Sequence, residues 1–342
     1  MTLPLEGVRV ADFTWVWAGP FCTLQLAHLG AEVIRVESRT RTCVTRLLPP
    51  FADGTPGPNR SGYFNQYNQG KLSLALDLKR PEGIAVAKDL VAQCDIVCEN
   101  FAAGVMDRMG LGYDVLRQLR PDLVMIALSG YGATGPDAEF VSYGPAQVPL
   151  SGMSSLTGYK DWPPMHVGIS YGDPAPAVCT ARSRCWRRSG TVPPPARAST
   201  STSRSGETSI ATLGEGVLEQ SHRHPAGVRA GNRDPQMAPH GISSLRRRAA
   251  LGGDRGARRR RPAPPRHLHG RTGAGERSAL RHPRRARRTR TLEALVSEWT
   301  RTQGDNAVAN ALQAAGVPAD VAMTNQDLAE DEAQAQRLPR LP

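Results

Sequence analysis

Strand-like and helix-like segments alternate through the first 174 residues, and this alternation constrains the fold more than any other feature. The stretch "GVRVADFT" has the apolar alternation of a short strand, and "AEVIRVE" has that of a second. Between them, "GPFCTLQLAHLG" is typical of a helix, with Pro20 in its first turn and Gly30 at its end. Such a βαβ unit requires a right-handed crossover and a parallel sheet.

The same pattern repeats over 72–132, so the sequence predicts an α/β fold with a Rossmann-like doubly wound parallel sheet. The repeats are the strand "LSLALDL", the helix "PEGIAVAKDLVAQC", the strand "DIVCENF", the glycine-interrupted helix "GVMDRMGLGYDVLRQL" and the strand "LVMIALSGYG". The turn after the first strand lacks the GxGxxG pattern of dinucleotide-binding proteins. A nicotinamide cofactor is therefore not expected.

The character of the chain changes abruptly after Asp173. Residues 175–290 contain 26 Arg, no Lys and 6 acidic residues, a net charge of +20, whereas the whole chain carries +12. Two blocks, 175–212 and 243–290, lose helical and strand periodicity, and segments so poor in large apolar residues cannot offset their ordering entropy. Protein-like patterns return over 213–242 and 291–337.

Two interpretations of the Arg-rich blocks are open. One is GC-rich coding DNA read out of frame, because Arg, Ala, Pro and Gly have GC-rich codons and the ordinary pattern resumes within a loop and within a helix. The other is a disordered basic linker that binds nucleic acid or membrane. Such linkers usually mix Lys with Arg, so we favour the frame disruption and do not expect a nucleic-acid partner.

The domain prediction follows these changes in pattern. It comprises a large domain at 1–174, unpatterned blocks at 175–212 and 243–290, a linker or small-domain entry at 213–242, and small-domain helices at 291–337. The six Cys form no CxxC pair, which favours isolated thiols in a reducing compartment. With neither a leader-like start nor an apolar stretch long enough for a bilayer, we expect a soluble cytoplasmic protein with no metal and no membrane partner.

Polar residues at strand ends and helix starts are the candidate site residues. Asp173 stands in the turn "YGDP", Lys79 stands beside a helix start where anions bind, and Arg108 lies in a later helix. Asn100 and Phe101 end a strand at the edge where open α/β sheets bind ligands. Taken singly, each is more typical of a turn or of a solvated surface.

Taken together, five segments resemble the class III CoA-transferases, the family of formyl-CoA transferase and carnitine CoA-transferase. The segments are "GVRVADFTWVWAGPFCTLQLAHLGAEVIRVE", "NQGKLSLALDLKRPEG", "DIVCENFAAGVMDRMGLGYDVL", "PDLVMIALSGYGATGP" and "HVGISYGDP". The resemblance covers 4–174 almost without gaps and returns over 213–242 and 291–337. It is absent from both Arg-rich blocks, which strengthens the frame-disruption interpretation. It implies a second, smaller α/β domain and an interlocked homodimer.

The resemblance also implies a reaction and the residues that carry it. A CoA group passes from an acyl-CoA to a carboxylic acid, with the coenzyme A thioester as substrate and no permanently bound cofactor. Asp173 falls at the nucleophile position and would carry an aspartyl-CoA thioester. The positions matched to CoA binding are Trp17, Ala18, Leu76, Lys79, Asn100, Phe101 and Arg108, with Arg39 one residue beyond the family arginine, where this chain has Ser38.

Departures from the family pattern leave alternatives open. Trp17 replaces a polar Gln of formyl-CoA transferase, which argues against a formyl substrate, and Val141 replaces a Lys. An α-methylacyl-CoA racemase-like enzyme of the same superfamily would require a His partner, and His166 is the only His in 100–174. A non-catalytic Arg-rich protein that binds nucleic acid is the third possibility. Because the pattern fails directly after Asp173, we expect this exact chain to fold poorly and to have little activity.

Overall fold

The computed structural model describes residues 3–168, 171–173, 199–222, 229–234, 240–244, 267–271 and 283–330. Contacts divide the chain into two compact units. The larger unit comprises residues 1–158 and 162–228, and the smaller comprises 159–161 and 229–342. This division differs from the sequence-based bounds at 174 and 242.

The larger unit is built on a six-stranded parallel sheet. Its strands are β1 (Arg9–Asp12), β2 (Glu32–Glu37), β3 (Leu72–Ala75), β4 (Ile96–Glu99), β5 (Val124–Ser129) and β6 (Ser199–Arg204). All neighbouring pairs are parallel, in the order β3-β2-β1-β4-β5-β6. This is the strand order of a Rossmann-type sheet, so the predicted fold class is confirmed. The direction of strand succession reverses between β1 and β4.

Helices connect these strands and flank the sheet. They are α1 (Ala18–His28), α2 (Gly62–Tyr67), α3 (Pro81–Ala92), α4 (Val105–Arg108), α5 (Tyr113–Leu119), α6 (Gly144–Leu150), α7 (Met153–Leu156), α8 (Ser205–Ala211) and α9 (Gly214–Ser221). The helix that the sequence predicts with glycine interruptions is divided into α4 and α5. Gly110 lies between them with a φ of 71°, a conformation that favours glycine.

Two apolar clusters cover the two faces of the sheet. On one face Cys22 and Leu26 of α1 pack with Val10 of β1, and on the other Val91 of α3 packs with Ala11 of β1. Successive residues of β1 therefore point into opposite clusters, as the strand period of two requires. Apolar cover on both faces is what a parallel sheet needs, and it agrees with the continuous apolar run "VMIAL" of β5.

Regular structure occurs inside both Arg-rich blocks, where the sequence predicts none. β6 pairs with β5 from Val124↔Ser199 to Ser129↔Arg204, and α8 follows it directly. Strand pairing satisfies backbone groups whatever the side chains are, so composition alone does not predict it. Most of the two blocks lies outside the described residues. The chain before the "YGDP" turn is irregular over 166–168, and residues 169–170 are outside the described part.

The smaller unit has an antiparallel sheet of β7 (His240–Ser244), β8 (His267–Arg271) and β9 (Ala319–Ala322). Its helices are α10 (Pro283–Thr302), α11 (Asp305–Ala314) and α12 (Asn325–Glu330). Thr324 caps the start of α12, since its Oγ1 accepts from Asp327 N at 3.2 Å and its N–H donates to Asp327 Oδ2 at 2.8 Å. In the part of the chain that the structure describes, no helix is long and apolar enough to cross a membrane.

Candidate active site

The candidate site is a cavity at the carboxyl ends of β1 and β4, where the strand order reverses. Ligands of open α/β sheets bind in the crevice outside such a point. The cavity has a volume of about 480 Å³. The loops after β1, β4 and β5 form its wall together with the turn at Asp173, and contribute Trp17, Phe101 and Ser129 among others.

Asp173 is the one carboxylate among the described residues that line this cavity. Its side chain is partly buried, and burial raises its pKa to about 6, while the backbone N–H of Gly144 acts in the opposite direction by hydrogen bonding to it. A Cβ on Gly144 would collide with the carboxyl group, so glycine leaves room for Asp173. The result is a carboxylate that is largely ionised at pH 7 yet poorly solvated, a condition suited to a nucleophile.

An aromatic group borders this carboxylate. Tyr63 and Tyr67 of α2 pack on Trp17, with ring centroids 5.5 Å from it in both cases. Burial raises the pKa of Tyr63, and the neighbouring Tyr67 and Asp173 raise it further. Tyr63 therefore stays a neutral hydroxyl over the physiological pH range. It is close enough to Asp173 for the charge of that carboxylate to oppose its ionisation. The sequence analysis did not identify it.

The structure brings four of the predicted CoA-binding residues together with Asp173. Trp17, Ala18, Asn100 and Phe101 all line the cavity.

The other four predicted CoA-binding residues lie outside its wall. Arg39, Lys79 and Arg108 are exposed, and Leu76 is half-buried against the apolar cluster on the α3 face of the sheet.

Two further lining residues were missed by the sequence analysis. Arg41 lies in the wall with its guanidinium 5.5 Å from the ring centre of Trp15, and it is the one Arg or Lys among the described lining residues. Gln147 of α6 is 1% exposed, its Nε2 donates to Ser142 Oγ, and its Oε1 has no hydrogen-bond partner among the residues that the structure describes. The sequence signal for Arg41 is that it stands two residues after Arg39 in the same polar segment, whereas nothing in the sequence distinguishes Gln147.

A buried charge network lies at the end of β1, in the strand whose following loop lines the cavity. Asp12 Oδ2 accepts from Lys71 Nζ at 3.1 Å and from Thr23 Oγ1 at 2.7 Å, while Oδ1 accepts from Thr14 N at 2.9 Å. Burial opposes ionisation of Asp12, but Lys71 and Arg35 hold its pKa below the ordinary value. The network ties the loop after β1 to α1 and to the start of β3.

A second cavity, of about 490 Å³, lies wholly in the smaller unit and is lined by residues of β7, α10 and α11. An ion pair between Arg233 and Glu293, at 2.8 Å, forms part of its wall. We place the candidate active site in the other cavity because that one stands at the reversal of strand order and holds the poorly solvated carboxylate. Among the residues that the structure describes, no group of His, Cys, Asp and Glu could hold a metal ion.

These features define a Rossmann-type α/β protein with a carboxylate in its ligand crevice. The model of CoA-transferase family III matches residues 5–338. The chain therefore belongs to CoA-transferase family III.

Similar proteins agree with this assignment. The chain is 41% identical over 172 residues to a succinate–glutarate CoA-transferase of Agrobacterium fabrum, covering 50% of this chain and 43% of that protein. It is 39% identical over 171 residues to the human succinyl-CoA:glutarate CoA-transferase, covering 50% and 38%. The matches thus span less than half the length of these curated relatives. A CAIB/BAIF family protein from Brucella suis has a TM-score of 0.81 and 25% identity, over 98% of this chain and 88% of that one.

Proposed function

We propose that the protein is an acyl-CoA:carboxylate CoA-transferase that works through an aspartyl-CoA thioester on Asp173. The observation that carries the proposal is a partly buried carboxylate, with its pKa raised to about 6, in the crevice of a family III chain. The names of the relatives, which transfer CoA between succinate and glutarate or between formate and oxalate, support this chemistry.

The reaction proceeds through exchanges at acyl carbons. The Asp173 carboxylate attacks the thioester carbonyl of the donor, the C–S bond breaks, and an acyl–aspartyl anhydride and CoA thiolate form. The thiolate attacks the aspartyl carbonyl, which releases the donor carboxylate and leaves an aspartyl-CoA thioester. The acceptor carboxylate then repeats these two exchanges in reverse order, forming a new anhydride from which thiolate takes the acceptor acyl group. Asp173 is regenerated as a carboxylate, and no net proton is consumed.

Backbone N–H groups suit the negative charge that develops in each exchange. The N–H of Gly144 hydrogen-bonds the Asp173 carboxylate. The first turn of α1 has no side-chain cap, and Trp17 and Ala18 at this end line the cavity. The free N–H groups of a helix start carry partial positive charge and stabilise oxyanions. These two groups of donors are our candidates for stabilising the tetrahedral intermediates.

The CoA portion is proposed to extend from this cavity over the surface. Trp17, Ala18, Asn100 and Phe101 would border the pantetheine arm. Arg41 would face the thioester end. For the remote phosphates, Arg39, Lys79 and Arg108 provide exposed cations, and Leu76 lies on the same unit.

Assembly, location and reading frame complete the proposal. Family resemblance supports an interlocked homodimer in the cytoplasm, and light scattering after gel filtration tests the dimer. We propose that the two Arg-rich blocks are out of frame and that the printed chain therefore turns over slowly. Resequencing of the coding DNA from codon 170 tests the frame, and compensating insertions or deletions are the expected result.

The experiment for the proposed activity is CoA transfer from succinyl-CoA to glutarate, followed by chromatography of the two thioesters. We expect glutaryl-CoA to form with the wild type and not with Asp173→Asn. Transfer that survives Asp173→Asn would contradict the proposal. Exchange of the α-hydrogen of an acyl-CoA with heavy water, without transfer, would instead indicate a racemase. No His lines the cavity within the described residues, which disfavours that outcome. Salt-dependent nucleic-acid binding without transfer would support the non-catalytic alternative.

A further inference from the structure

The loop between β1 and α1 contains a strained residue next to the cavity. Val16 has a φ of 64°, in the left-handed region that a β-branched residue avoids. It directly precedes Trp17, and both residues line the cavity. Backbone strain of this kind persists only where the surrounding structure holds it, and it concentrates at functional sites. The groups that hold Val16 are therefore of interest.

Asn100 holds the residue before Val16 from the end of β4. Its Oδ1 accepts from Trp15 N at 2.6 Å, and its Nδ2 donates to Trp15 O at 2.8 Å. The side-chain amide of Asn100 thus hydrogen-bonds the peptide unit before Trp15 through its oxygen and the peptide unit after Trp15 through its nitrogen. Gly19 packs so closely that a Cβ there would collide with the side chains of Thr14 and Asn100. The amide therefore fixes both the loop and the start of α1.

Cys43 holds Val16 itself from the loop after β2. The N–H of Val16 donates to Cys43 Sγ at 3.3 Å, and this thiol also lies 3.1 Å from Thr45 Oγ1. The N–H of Cys43 donates to Glu37 Oε1 at 2.8 Å, which anchors the cysteine to β2. Cys43 is 0% exposed. A thiol is a weak acceptor, so the contact depends on this fixed placement.

We propose that Asn100 and Cys43 are positioning residues that hold Val16 in its strained conformation, so that Trp17 and the start of α1 form the wall of the CoA-ester cavity. The inference rests on the proposed function, since it assigns these groups to the binding of the acyl-CoA. Cys43 acts without touching the substrate, whereas Asn100 also lines the cavity. Without them the turn relaxes to a negative φ and Trp17 leaves the wall.

Coupling to Val16 distinguishes this role from direct substrate contact. Glycine adopts a positive φ without strain, so in the Val16→Gly variant the contacts from Asn100 and Cys43 are no longer needed to hold this conformation. We expect Cys43→Ala, which loses one hydrogen bond to the loop, to raise the Kd for free CoA, measured by calorimetry, about five- to tenfold, and Asn100→Ala, which loses two, to raise it at least as much. In the Val16→Gly background Cys43→Ala should raise the Kd less than about twofold, and Asn100→Ala should keep only the loss that comes from its own contact with the ligand, which is a coupling between neighbours. The matched control is Cys94→Ala, a thiol that is also 0% exposed but lies in the apolar cluster on the α3 face, and its Kd should not change.

Equal losses of affinity for Cys43→Ala in the Val16 and Val16→Gly backgrounds would overturn the inference, because the cysteine would then not act through Val16. An unchanged Kd in both single variants would also overturn it. If the wild-type protein binds no CoA, the proposed function fails. Thermal unfolding of the same variants, in the same four-variant cycles, then tests whether Asn100 and Cys43 hold Val16. Recovery by Val16→Gly of the midpoint lost in Cys43→Ala supports it, and no recovery refutes it.

Discussion

Replacement of Asp173 by Asn removes a charge that its surroundings disfavour, and this predicts a stability change with a defined pH dependence. Burial raises the pKa of Asp173 from 3.8 to about 6. The folded protein therefore holds the proton more tightly than the unfolded chain does. Ionisation is neutral for stability below pH 3.8 and destabilises the fold increasingly up to pH 6. Above pH 6 the penalty is constant.

The magnitude follows from the shift of about two units, since one unit corresponds to about 1.4 kcal/mol, which gives an upper value of about 3 kcal/mol. Partial exposure of the group lowers this to about 1–3 kcal/mol. For a unit of about 200 residues, each kcal/mol moves the melting midpoint by about 2–4 °C. Asp173→Asn should thus melt about 2–12 °C above the wild type at pH 8, a range that follows from those two figures.

Circular dichroism melts at a series of pH values between 4 and 8 test this expectation. The difference between Asp173→Asn and wild type should vanish near pH 4 and reach its plateau above pH 6. The exposed Asp137 provides the control, because Asp137→Asn removes a carboxylate of the same unit that lies outside the cavity wall. A difference that does not vary with pH, or a wild type that is the more stable at pH 8, would refute the account of Asp173. Transfer activity should fall with the same pKa as the pH is lowered through 6.

Three further experiments test other parts of the larger unit. Gly144→Ala places a Cβ against the Asp173 carboxyl and should slow transfer about 100-fold with little change in fold, as small misplacements of a reacting group do; a rate within a few-fold of wild type would contradict this contact. Lys71→Met leaves Asp12 buried without its cation and should lower the unfolding free energy in urea by about 3–5 kcal/mol. Asp12→Asn in the same chain should restore most of that loss, and independent effects would show that the pair is not coupled. Burial raises the pKa of Glu99 to about 7, so Glu99→Gln should stabilise the fold by up to about 3 kcal/mol above pH 7 and by nothing below pH 4.5, in melts over the same pH series.

The parallel sheet of the larger unit was predictable because strand patterns alternate with helical patterns along the chain. β1, β2 and β4 each stand next to helical segments, and this alternation is typical of a doubly wound sheet. β6 was not predictable in the same way. Its sequence "STSTSR" carries no apolar face, and its place at the sheet edge is set by pairing with β5.

The residues of the candidate site also divide into those that the sequence predicts and those that it does not. Asn100 and Phe101 follow directly after β4, at the edge where open α/β sheets bind ligands. Asp173 lies in a turn that follows irregular chain, and the family resemblance is what marked it as the nucleophile. Arg41 lies in the wall and Arg39 does not, a difference that depends on the path of the loop after β2.

The conformation of Val16 runs against its own propensity, because β-branched residues avoid a positive φ. Tertiary contacts from Asn100 and Cys43 impose it, and no local pattern in the sequence records them.

The most direct test of the central claim is to identify the covalent intermediate. The protein is incubated with succinyl-CoA without an acceptor, quenched in acid and digested, and the peptides are analysed by mass spectrometry. The account predicts a CoA thioester on the peptide that contains Asp173, its loss when glutarate is added before the quench, and its absence from Asp173→Asn. A CoA adduct on another residue, or transfer to glutarate with no enzyme-bound CoA, would contradict the assignment of Asp173 as the nucleophile.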